Sequence, residues 1–318
     1  MSLGVDLKNN FQNKKALIIV ESPLQLLCAY EAIYYFKLEY SLYIILTENE
    51  LNNLQIKNMV VKLKLRKTNY LRITAKKNIF NILSIIGYYV QFRLKHYSIY
   101  IIGDYFSRKL NIFTFFIDKN KILLLDDGVA TFKIQKELKK QNIPISLYTM
   151  FQIEAFSNQK IFYNNFMCLK CKFQTKTSKN TVVFIGAKLV DLKILDISTY
   201  INIIKKALSS SQGDEFLYFP HRGTSEKNLK EVSNIKGLDI IDIETTLEFH
   251  LLSNSIKPIE IYSIVSTALF SLSSIFEDSN VVAYKPKFLA SDRQQDIENV
   301  YKEMENTNRI NIVTIGEI

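Results

Sequence analysis

Short, uninterrupted apolar runs recur along this chain, and each one ends at polar or turn-forming residues. Ala16–Val20 (ALIIV) is broken by Glu21-Ser22-Pro23, after which Leu24–Phe36 carries apolar residues at helical spacing. Such a run is typical of a parallel strand buried on both faces, and parallel strands are joined by crossovers that are usually helices. The chain is therefore predicted to be α/β with a parallel sheet. Further strands are predicted at Leu42–Thr47, Leu71–Thr74, Ser98–Gly103 and Ile122–Leu125, and a long apolar helix at Asn78–Lys95.

The same pattern begins again after residue 175. Gln174–Asn180 is polar and is predicted to be a linker, and Thr181–Gly186 (TVVFIG) to open a second sheet. We predict an N-terminal domain over residues 1–176 and a C-terminal domain over 177–318. Both are expected to be Rossmann-like and to face each other across a cleft, with ligands at the carboxyl ends of the strands. The later strands are predicted at Glu215–Pro220, Leu238–Asp242, Ile259–Ser263 and Val281–Tyr284, and the helices at Tyr200–Ser209, Thr246–Asn254, Ala268–Phe276 and Asp292–Asn306.

Composition excludes several other classes of protein. Apolar residues make up 47% of the chain, which rules out wholesale disorder, and 9 glycines in 318 residues rule out glycine-rich repeats. Cys168 and Cys171 form a C-x-x-C pair, but there is no second pair and there are 3 histidines, so the cysteines are predicted to be ordinary thiols in a reducing cytoplasm. Met1–Lys15 has no apolar signal region, and Phe80–Phe92 is too short to span a bilayer. A cytoplasmic protein is expected.

Basic residues are concentrated in one part of the chain. The net charge is +10, and Leu51–Gly103 contains no Asp or Glu. Such a stretch favours an anionic partner, either a membrane or a polyanionic glycan and less readily nucleic acid, or it is a solvated face with no partner. The groups Lys62–Lys67 and Lys76-Lys77 are the predicted contact points. A peripheral position on the inner face of an anionic membrane follows from the first alternative.

Three polar clusters lie at predicted strand ends. Asp126-Asp127-Gly128 follows a fully apolar strand. Adjacent carboxylates repel, which should raise the pKa of one of them and suits a general base, but an Asp followed by Gly is also an ordinary turn and helix cap. His221 and Arg222 follow another strand and suit an anionic ligand, or are a turn histidine and a solvated arginine. Ser266-Thr267 lies between a strand and a helix, where hydroxyls bind phosphate or simply cap the helix.

The order of these clusters resembles that of bacterial sialyltransferases, in particular glycosyltransferase family 52 and the related bacterial polysialyltransferases. Those families share an acidic pair followed by Gly, a later His-Pro motif and a Ser-Ser/Thr motif, which correspond here to Asp126-Asp127-Gly128, His221 and Ser266-Thr267. The turn Ser22-Pro23-Leu24-Gln25 is also similar to their N-terminal turn. One departure is that Pro220 precedes His221 and Arg222 follows it.

The resemblance implies a GT-B fold and an inverting transfer of sialic acid from CMP-sialic acid to a hydroxyl of a surface glycan, either lipooligosaccharide or capsule. Asp126 and Asp127 are both implied as catalytic, and one of them, with Asp127 favoured over Asp126, would be the general base in an acceptor-binding N-terminal domain. His221 would act on the leaving phosphate in a C-terminal domain that binds the CMP-sugar, and no metal or other cofactor would be needed. The residues implied in substrate binding are Gly128, Ser22, Arg222, Glu248, Ser266 and Thr267.

Other functions remain open from the sequence. A GT-B enzyme could use another CMP-nonulosonate, or could be a nucleotide-sugar epimerase. A non-enzymatic protein that binds anionic surfaces through Leu51–Gly103 is a third possibility, and it leaves the strand-end clusters unexplained. For Glu248, a solvated carboxylate on a helix is the alternative to a contact with the nucleotide sugar.

Overall fold

The structure is a computed structural model that describes residues 11–73, 79–173, 180–287 and 294–316. The chain divides into two compact units, Met1–Cys168 and Leu169–Ile318. The sequence placed the division a few residues later, between 176 and 177. No helix of the described residues is long and apolar enough to cross a membrane.

The first unit is a parallel sheet with helices in its connections. Among the described residues its seven strands run in the order β3-β2-β1-β4-β5-β6-β7, and every neighbouring pair is parallel. The order of the first six is that of a Rossmann sheet, whose switch point lies between β1 and β4. The elements are β1 (Lys15–Val20), α1 (Pro23–Tyr35), β2 (Glu39–Leu46), α2 (Glu50–Leu63), β3 (Thr68–Arg72), α3 (Ile79–Leu94), β4 (Ile99–Ile102), α4 (Arg108–Thr114), β5 (Ile122–Leu125), α5 (Ala130–Gln141), β6 (Ser146–Thr149) and β7 (Ile161–Tyr163), with α6 (Met167–Lys172) at the boundary.

The second unit repeats this plan. Its six described strands are all parallel and run in the order β10-β9-β8-β11-β12-β13, again with the Rossmann switch point, between β8 and β11. The elements are β8 (Thr181–Ile185), α7 (Ile197–Ser210), β9 (Glu215–Phe219), α8 (Glu226–Ser233), β10 (Asp239–Ile240), α9 (Leu247–Ser253), β11 (Glu260–Ser263), α10 (Ala268–Ile275), β12 (Asn280–Pro286), α11 (Gln294–Asn306) and β13 (Asn311–Ile315).

The central strands of each unit are buried on both faces, as their continuous apolar sequences predict. Ala16–Val20 is wholly inaccessible to solvent, and β8 is buried along its length. Aromatic rings fill much of the remaining space: Phe36 packs edge-on against Phe162, and Tyr262 stacks on Tyr284. The α/β class with two Rossmann-like domains is confirmed.

Several elements were not predicted. No element was predicted between residues 126 and 180, where α5, β6, β7 and α6 form. Outside that range, α4, α8 and β13 were not predicted either. β3 begins three residues earlier than the predicted Leu71 and ends at Arg72, while Thr74, Lys76, Lys77, Asn78 and Asp292 lie outside the described residues. Because β7 is three residues long and β13 is mostly exposed, neither carries the long apolar run that identified the other strands.

Candidate active site

Asp126, Asp127 and Gly128 connect β5 to α5 at the carboxyl end of the first sheet. Gly128 has a φ of 64°, a left-handed conformation that glycine adopts at little cost, so it allows the sharp turn there. The Asp127 N–H donates a hydrogen bond to Thr131 Oγ1 at 3.1 Å, which ties the turn to the first turn of α5. The two carboxylates are therefore held at a fixed place on this edge.

Asp126 is fully buried, and both of its carboxylate oxygens have partners. Thr149 Oγ1 donates to Oδ1 at 2.6 Å, and the Met150 N–H donates to Oδ2 at 2.7 Å. Burial raises the pKa of Asp126 to about 7, although these hydrogen bonds lower it. The negative charge of Asp127 also raises the pKa and is the smallest of these effects. The predicted pKa rise is present, but its main cause is burial and not the repulsion that the sequence suggested. A carboxyl placed this way joins β5 to β6, and a catalytic role for Asp126 stays a prediction.

Asp127 is half-buried and is held by Gln25 of α1. Gln25 Nε2 donates to Asp127 Oδ1 at 2.8 Å, and Gln25 Oε1 accepts the Glu21 N–H at 2.9 Å. Gln25 itself is 1% exposed. Gly103, after β4, makes room for it, because a Cβ at that position would lie 2.1 Å from Gln25 Oε1. The Gln25 amide thus fixes one oxygen of the more accessible carboxylate.

Within the turn Ser22-Pro23-Leu24-Gln25, the residue predicted to bind substrate is Ser22. Ser22 is the N-cap of α1 and its Oγ accepts the Gln25 N–H at 3.3 Å. This cap starts α1 directly after β1, which places Gln25, three residues after Ser22, at the edge of the sheet. The substrate contact of Ser22 stays a prediction, whereas Gln25 was missed.

Glu21 is a second residue that sequence reasoning missed. It follows β1 and is half-buried, and burial raises its pKa, with smaller contributions in the same direction from the charges of Asp104 and Asp127. A hydrogen bond to Ser107 and the charge of Lys109 lower it. The available signal was its position, since an acidic residue directly after a buried strand lies at the edge where Rossmann sheets bind ligands.

A pocket of about 780 Å³ lies near Glu21. The loops after β2 and β3 and the first turns of α2 line it, together with Lys109, the same cation that lowers the pKa of Glu21. Asn52 Nδ2 donates to the Glu21 carbonyl at 3.0 Å and ties α2 to the end of β1. Among the described residues, the charged side chains that line the pocket are two carboxylates and three cations, namely Glu48, Glu50, Lys57, Arg72 and Lys109.

In the second unit, the exposed His221 follows β9 with one ring nitrogen occupied. The Gly223 N–H donates to His221 Nδ1 at 3.0 Å, so the neutral ring carries its proton on Nε2. Partial desolvation of the ring by the surrounding turn, followed by the positive charges of Arg222 and Lys188, lowers the pKa of His221, and the charge of Asp191 opposes this. At neutral pH the ring is therefore an uncharged hydrogen-bond donor through Nε2.

Lys188 belongs to this cluster and was not predicted. It follows β8 at the turn Gly186-Ala187-Lys188. Two buried tyrosines hold this turn, because the Ala187 N–H donates to Tyr200 Oη at 2.9 Å and Tyr200 Oη lies 3.1 Å from Tyr218 Oη. A Cβ at Gly223 would lie 3.1 Å from Lys188 Nζ, so the lysine passes over the His221 turn. Lys188 and Arg222 give this strand end two cations beside the histidine.

Ser266 and Thr267 follow β11, the strand on the other side of β8. Ser266 Oγ accepts the N–H of Ala268, the first residue of α10, at 3.2 Å, and the N-cap residue Thr267 already has helical dihedral angles of −58° and −33°. Both are half-exposed. They lie between a strand and a helix, as predicted, and at the switch point of this sheet, while a contact with phosphate stays a prediction.

Glu248 lies on α9 and is not a solvated helix carboxylate. It is 5% exposed, its Oε1 accepts a short hydrogen bond from Ser271 Oγ of α10, and burial raises its pKa. Glu248 therefore joins α9 to α10, which carries Ser266 and Thr267 at its start. Its predicted contact with the nucleotide sugar stays a prediction.

Comparison with known proteins confirms the resemblance drawn from the motifs. Residues 168–285 match the family model of alpha-2,8-polysialyltransferases. The matched range contains His221, Arg222, Glu248, Ser266 and Thr267, while the carboxylates of the first unit lie outside it. No curated protein sequence matches the chain.

Solved structures similar to this chain have the GT-B fold. A sialyltransferase from Photobacterium damsela has a TM-score of 0.53 at 10% identity, covering 95% of this chain and 81% of the other. A UDP-GlcNAc 2-epimerase from Neisseria meningitidis has a TM-score of 0.54 at 10% identity, covering 93% and 91%. MurG from Acinetobacter baumannii has a TM-score of 0.51 at 9% identity, covering 95% and 86%. These likenesses establish the fold, and the family match supports a sialyltransferase.

Proposed function

We propose that this protein is an inverting sialyltransferase that moves sialic acid from CMP-sialic acid to a hydroxyl of a bacterial surface glycan. The observation that carries the proposal is the family match over residues 168–285, which includes a donor-rich strand edge suited to one phosphate. The lipooligosaccharide or capsule is the proposed destination, and the cytoplasm, where CMP-sugars are made, the proposed location.

On the donor side, the second unit supplies hydrogen bonds and positive charge to the CMP phosphate. His221 Nε2–H donates to a phosphate oxygen, because Nδ1 is already engaged by Gly223. Ser266 and Thr267 contribute hydroxyls and N–H groups at the start of α10, and Lys188 and Arg222 contribute charge. Two cations and several donors balance a single phosphate, so the proposed reaction needs no metal ion. We place Glu248 beneath the α10 end of this donor site.

On the acceptor side, Asp127 is the general base. It takes the proton of the acceptor hydroxyl as that oxygen forms a bond to the anomeric carbon of sialic acid. The bond from that carbon to the CMP phosphate oxygen breaks, its electrons leave with CMP, and the configuration inverts. Gln25 holds Oδ1 of Asp127, and Oδ2 is the proposed proton acceptor. The pocket of about 780 Å³ beside Glu21 is the proposed place of the acceptor glycan.

The test is release of CMP from CMP-sialic acid with a panel of galactosides and sialosides, with product linkage read by NMR spectroscopy. Acceptor-dependent CMP release that persists in EDTA is expected. A second donor carrying a different nonulosonic acid shows whether the sugar specificity is as proposed. Epimerisation of UDP-GlcNAc without any CMP release would contradict the proposal, and the likeness in fold to epimerases makes this control necessary.

A further inference from the structure

Helix α3 carries large apolar side chains on its exposed side as well as on its packed side, and Ser84, Gln91 and Arg93 are exposed polar residues on its flanks. Phe92 is buried and packs against Tyr43 of β2, with ring centroids 4.6 Å apart. The opposite face carries Leu83, Val90 and Leu94, and Leu94 is 72% exposed. A helix packed on a sheet in water normally carries polar residues on its outer face. The stripe of α3 opposite Phe92 is therefore apolar, where a helix in contact with water alone would carry polar residues.

The exposed apolar surface continues onto the end of α4 and the turn after it. Phe115 and Phe116 are 71% and 68% exposed, and Ile112 is also exposed. The Tyr89 ring of α3 lies 6.4 Å from the Phe116 ring, so the two exposed groups are neighbours. We call the outer side chains of α3 from Leu83 to Leu94, with Ile112, Phe115 and Phe116, the α3–α4 face. Large contiguous apolar patches of this kind mark interaction sites.

The segment of the chain that forms the α3–α4 face carries excess positive charge. Arg93 borders it: its Nε donates to Tyr89 Oη at 3.2 Å, and its guanidinium lies 5.5 Å from the centre of the Tyr89 ring. Arginine and tyrosine at a rim of this kind suit the boundary between an apolar phase and water. Between residues 79 and 121 the sequence has two acids, Asp104 and Asp118, and six bases, namely Arg93, Lys95, Arg108, Lys109, Lys119 and Lys121.

We propose that the α3–α4 face inserts into the headgroup boundary of an anionic phospholipid bilayer and holds the protein on the membrane surface. The apolar side chains enter the acyl region while the flanking cations contact lipid phosphates, as in membrane-surface helices. Because α3 packs on the sheet through Phe92, it lies along the surface. A second copy of this chain is a poorer occupant, since it would bring the same cations against each other. This inference does not depend on the proposed reaction.

The proposal moves the contact away from the position predicted from sequence. Lys62, Lys64 and Lys67 are exposed, but they surround the end of α2 and the start of β3, where Leu63 and Leu65 are buried. A contact through those lysines alone would be purely electrostatic. Insertion of Phe115 and Phe116 would persist in part when salt screens charge, and this difference separates the two modes.

The chain has no tryptophan, so one introduced tryptophan reports its own surroundings. Phe116→Trp in the full-length protein is expected to show a blue shift of emission, and quenching by brominated lipid, on addition of phosphatidylglycerol vesicles. Leu192→Trp, at another exposed apolar position in the second unit, is the matched control and is expected to show neither. Absence of both signals from Phe116→Trp while the protein sediments with the vesicles would overturn the proposal.

Vesicle sedimentation provides the second arm. The variant with Val90, Leu94, Phe115 and Phe116 all changed to Ser keeps every charge, and we expect about tenfold weaker binding. Val61→Ser with Leu192→Ser is the matched control for exposed apolar residues elsewhere. Circular dichroism checks that each variant folds.

Two results of this arm contradict membrane insertion. One is equal binding by the quadruple variant and its control. The other is complete loss of wild-type binding between about 0.1 M and about 1 M salt, where screening removes charge attraction alone. A dimer that the Ser variant abolishes, with no vesicle binding by the wild type, would assign the face to a second copy instead.

Discussion

Gln25 and Asp127 are 102 positions apart in sequence, yet Gln25 Nε2 lies 2.8 Å from Asp127 Oδ1. Gln25 is buried at the start of α1, and its other amide atom is engaged by the Glu21 N–H. The amide therefore cannot rotate without losing a bond, and Asp127 keeps one oxygen bound and the other oriented. This arrangement distinguishes Asp127 from Asp126, whose two oxygens are both used inside the sheet.

The first prediction concerns the base. Asp127→Asn removes the group that accepts the acceptor proton, so we expect kcat for transfer to fall by about a hundredfold or more. CMP binding, measured by calorimetry, should be unchanged because the donor residues lie in the second unit. Asp126→Asn should keep much of the activity, since its Oδ1 can still accept and Thr149 can reverse its hydroxyl. Near-full activity of the Asp127 variant, or abolition by Asp126→Asn in a folded protein, would rule out this assignment.

The second prediction tests Gln25 as a positioning residue. Gln25→Leu removes the donor to Asp127, and we expect kcat to fall by about tenfold while KM for CMP-sialic acid stays the same. Gly103→Ala should have a similar effect, because its Cβ would press on Gln25 Oε1. Gly87→Ala is the matched control, since nothing lies within 4 Å of the Cβ that it adds. Equal loss of thermal stability and activity in Gln25→Leu would indicate a purely structural residue.

The third prediction follows from the burial of Asp126. Its pKa in the folded protein is about 7, above the ordinary value of 3.8, so between these values the folded chain holds a proton that the unfolded chain releases. Its contribution to stability is full below about pH 4 and is lost as the pH rises through about 7. The free energy of unfolding of the wild type should therefore fall between about pH 4 and about pH 7. We expect this fall to be smaller in Asp126→Asn by about 2 kcal/mol or more, measured by urea unfolding.

Glu248 contributes with the same sign, because burial raises its pKa as well. Glu248→Gln therefore serves as a separate comparison, and the double variant should add the two effects, since the carboxyls lie in different units. An unchanged pH slope in Asp126→Asn would show that this carboxyl does not hold a proton in the folded protein.

The central strands of both sheets could be predicted because a strand buried on both faces has a continuous apolar sequence, such as Ala16–Val20. The contacts that select Asp127 have no such sequence pattern. The bond from Gln25 and the bond from Thr149 to Asp126 each join residues brought together by the sheet order, which periodicity does not report. Helix α5 is a different case, because Thr131, Ile134 and Leu138 are buried at helical spacing and the pattern was present in the sequence.

The same limit applies to the donor side. His221 was identified because it follows an apolar strand, but the role of Lys188 depends on its approach to Gly223, a contact between two strand-end turns. The fourth prediction tests it. Lys188→Ala should raise KM for CMP-sialic acid by about tenfold with little change in kcat, because it removes a charge that binds phosphate. Lys230→Ala, which removes an exposed lysine of α8, is the control. An equal effect of both variants would show that Lys188 acts only through the net charge of the protein and not at the phosphate.

The final prediction separates two ways in which His221 could act on the leaving phosphate. Since Nδ1 accepts the Gly223 N–H and the pKa of the ring is lowered, the structure supports a neutral ring that donates through Nε2. His221→Ala should slow transfer by about a hundredfold without lowering the thermal unfolding temperature, because the side chain is exposed.

The discriminating variant is His221→Gln, whose amide nitrogen can reach the position of Nε2 and donate one hydrogen bond. We expect it to recover part of the activity lost in His221→Ala, because an uncharged amide donor then takes the place of the uncharged ring donor. A Gln variant as slow as the Ala variant would mean that His221 transfers a proton. Parallel loss of activity and stability in both would mean that His221 only shapes its turn.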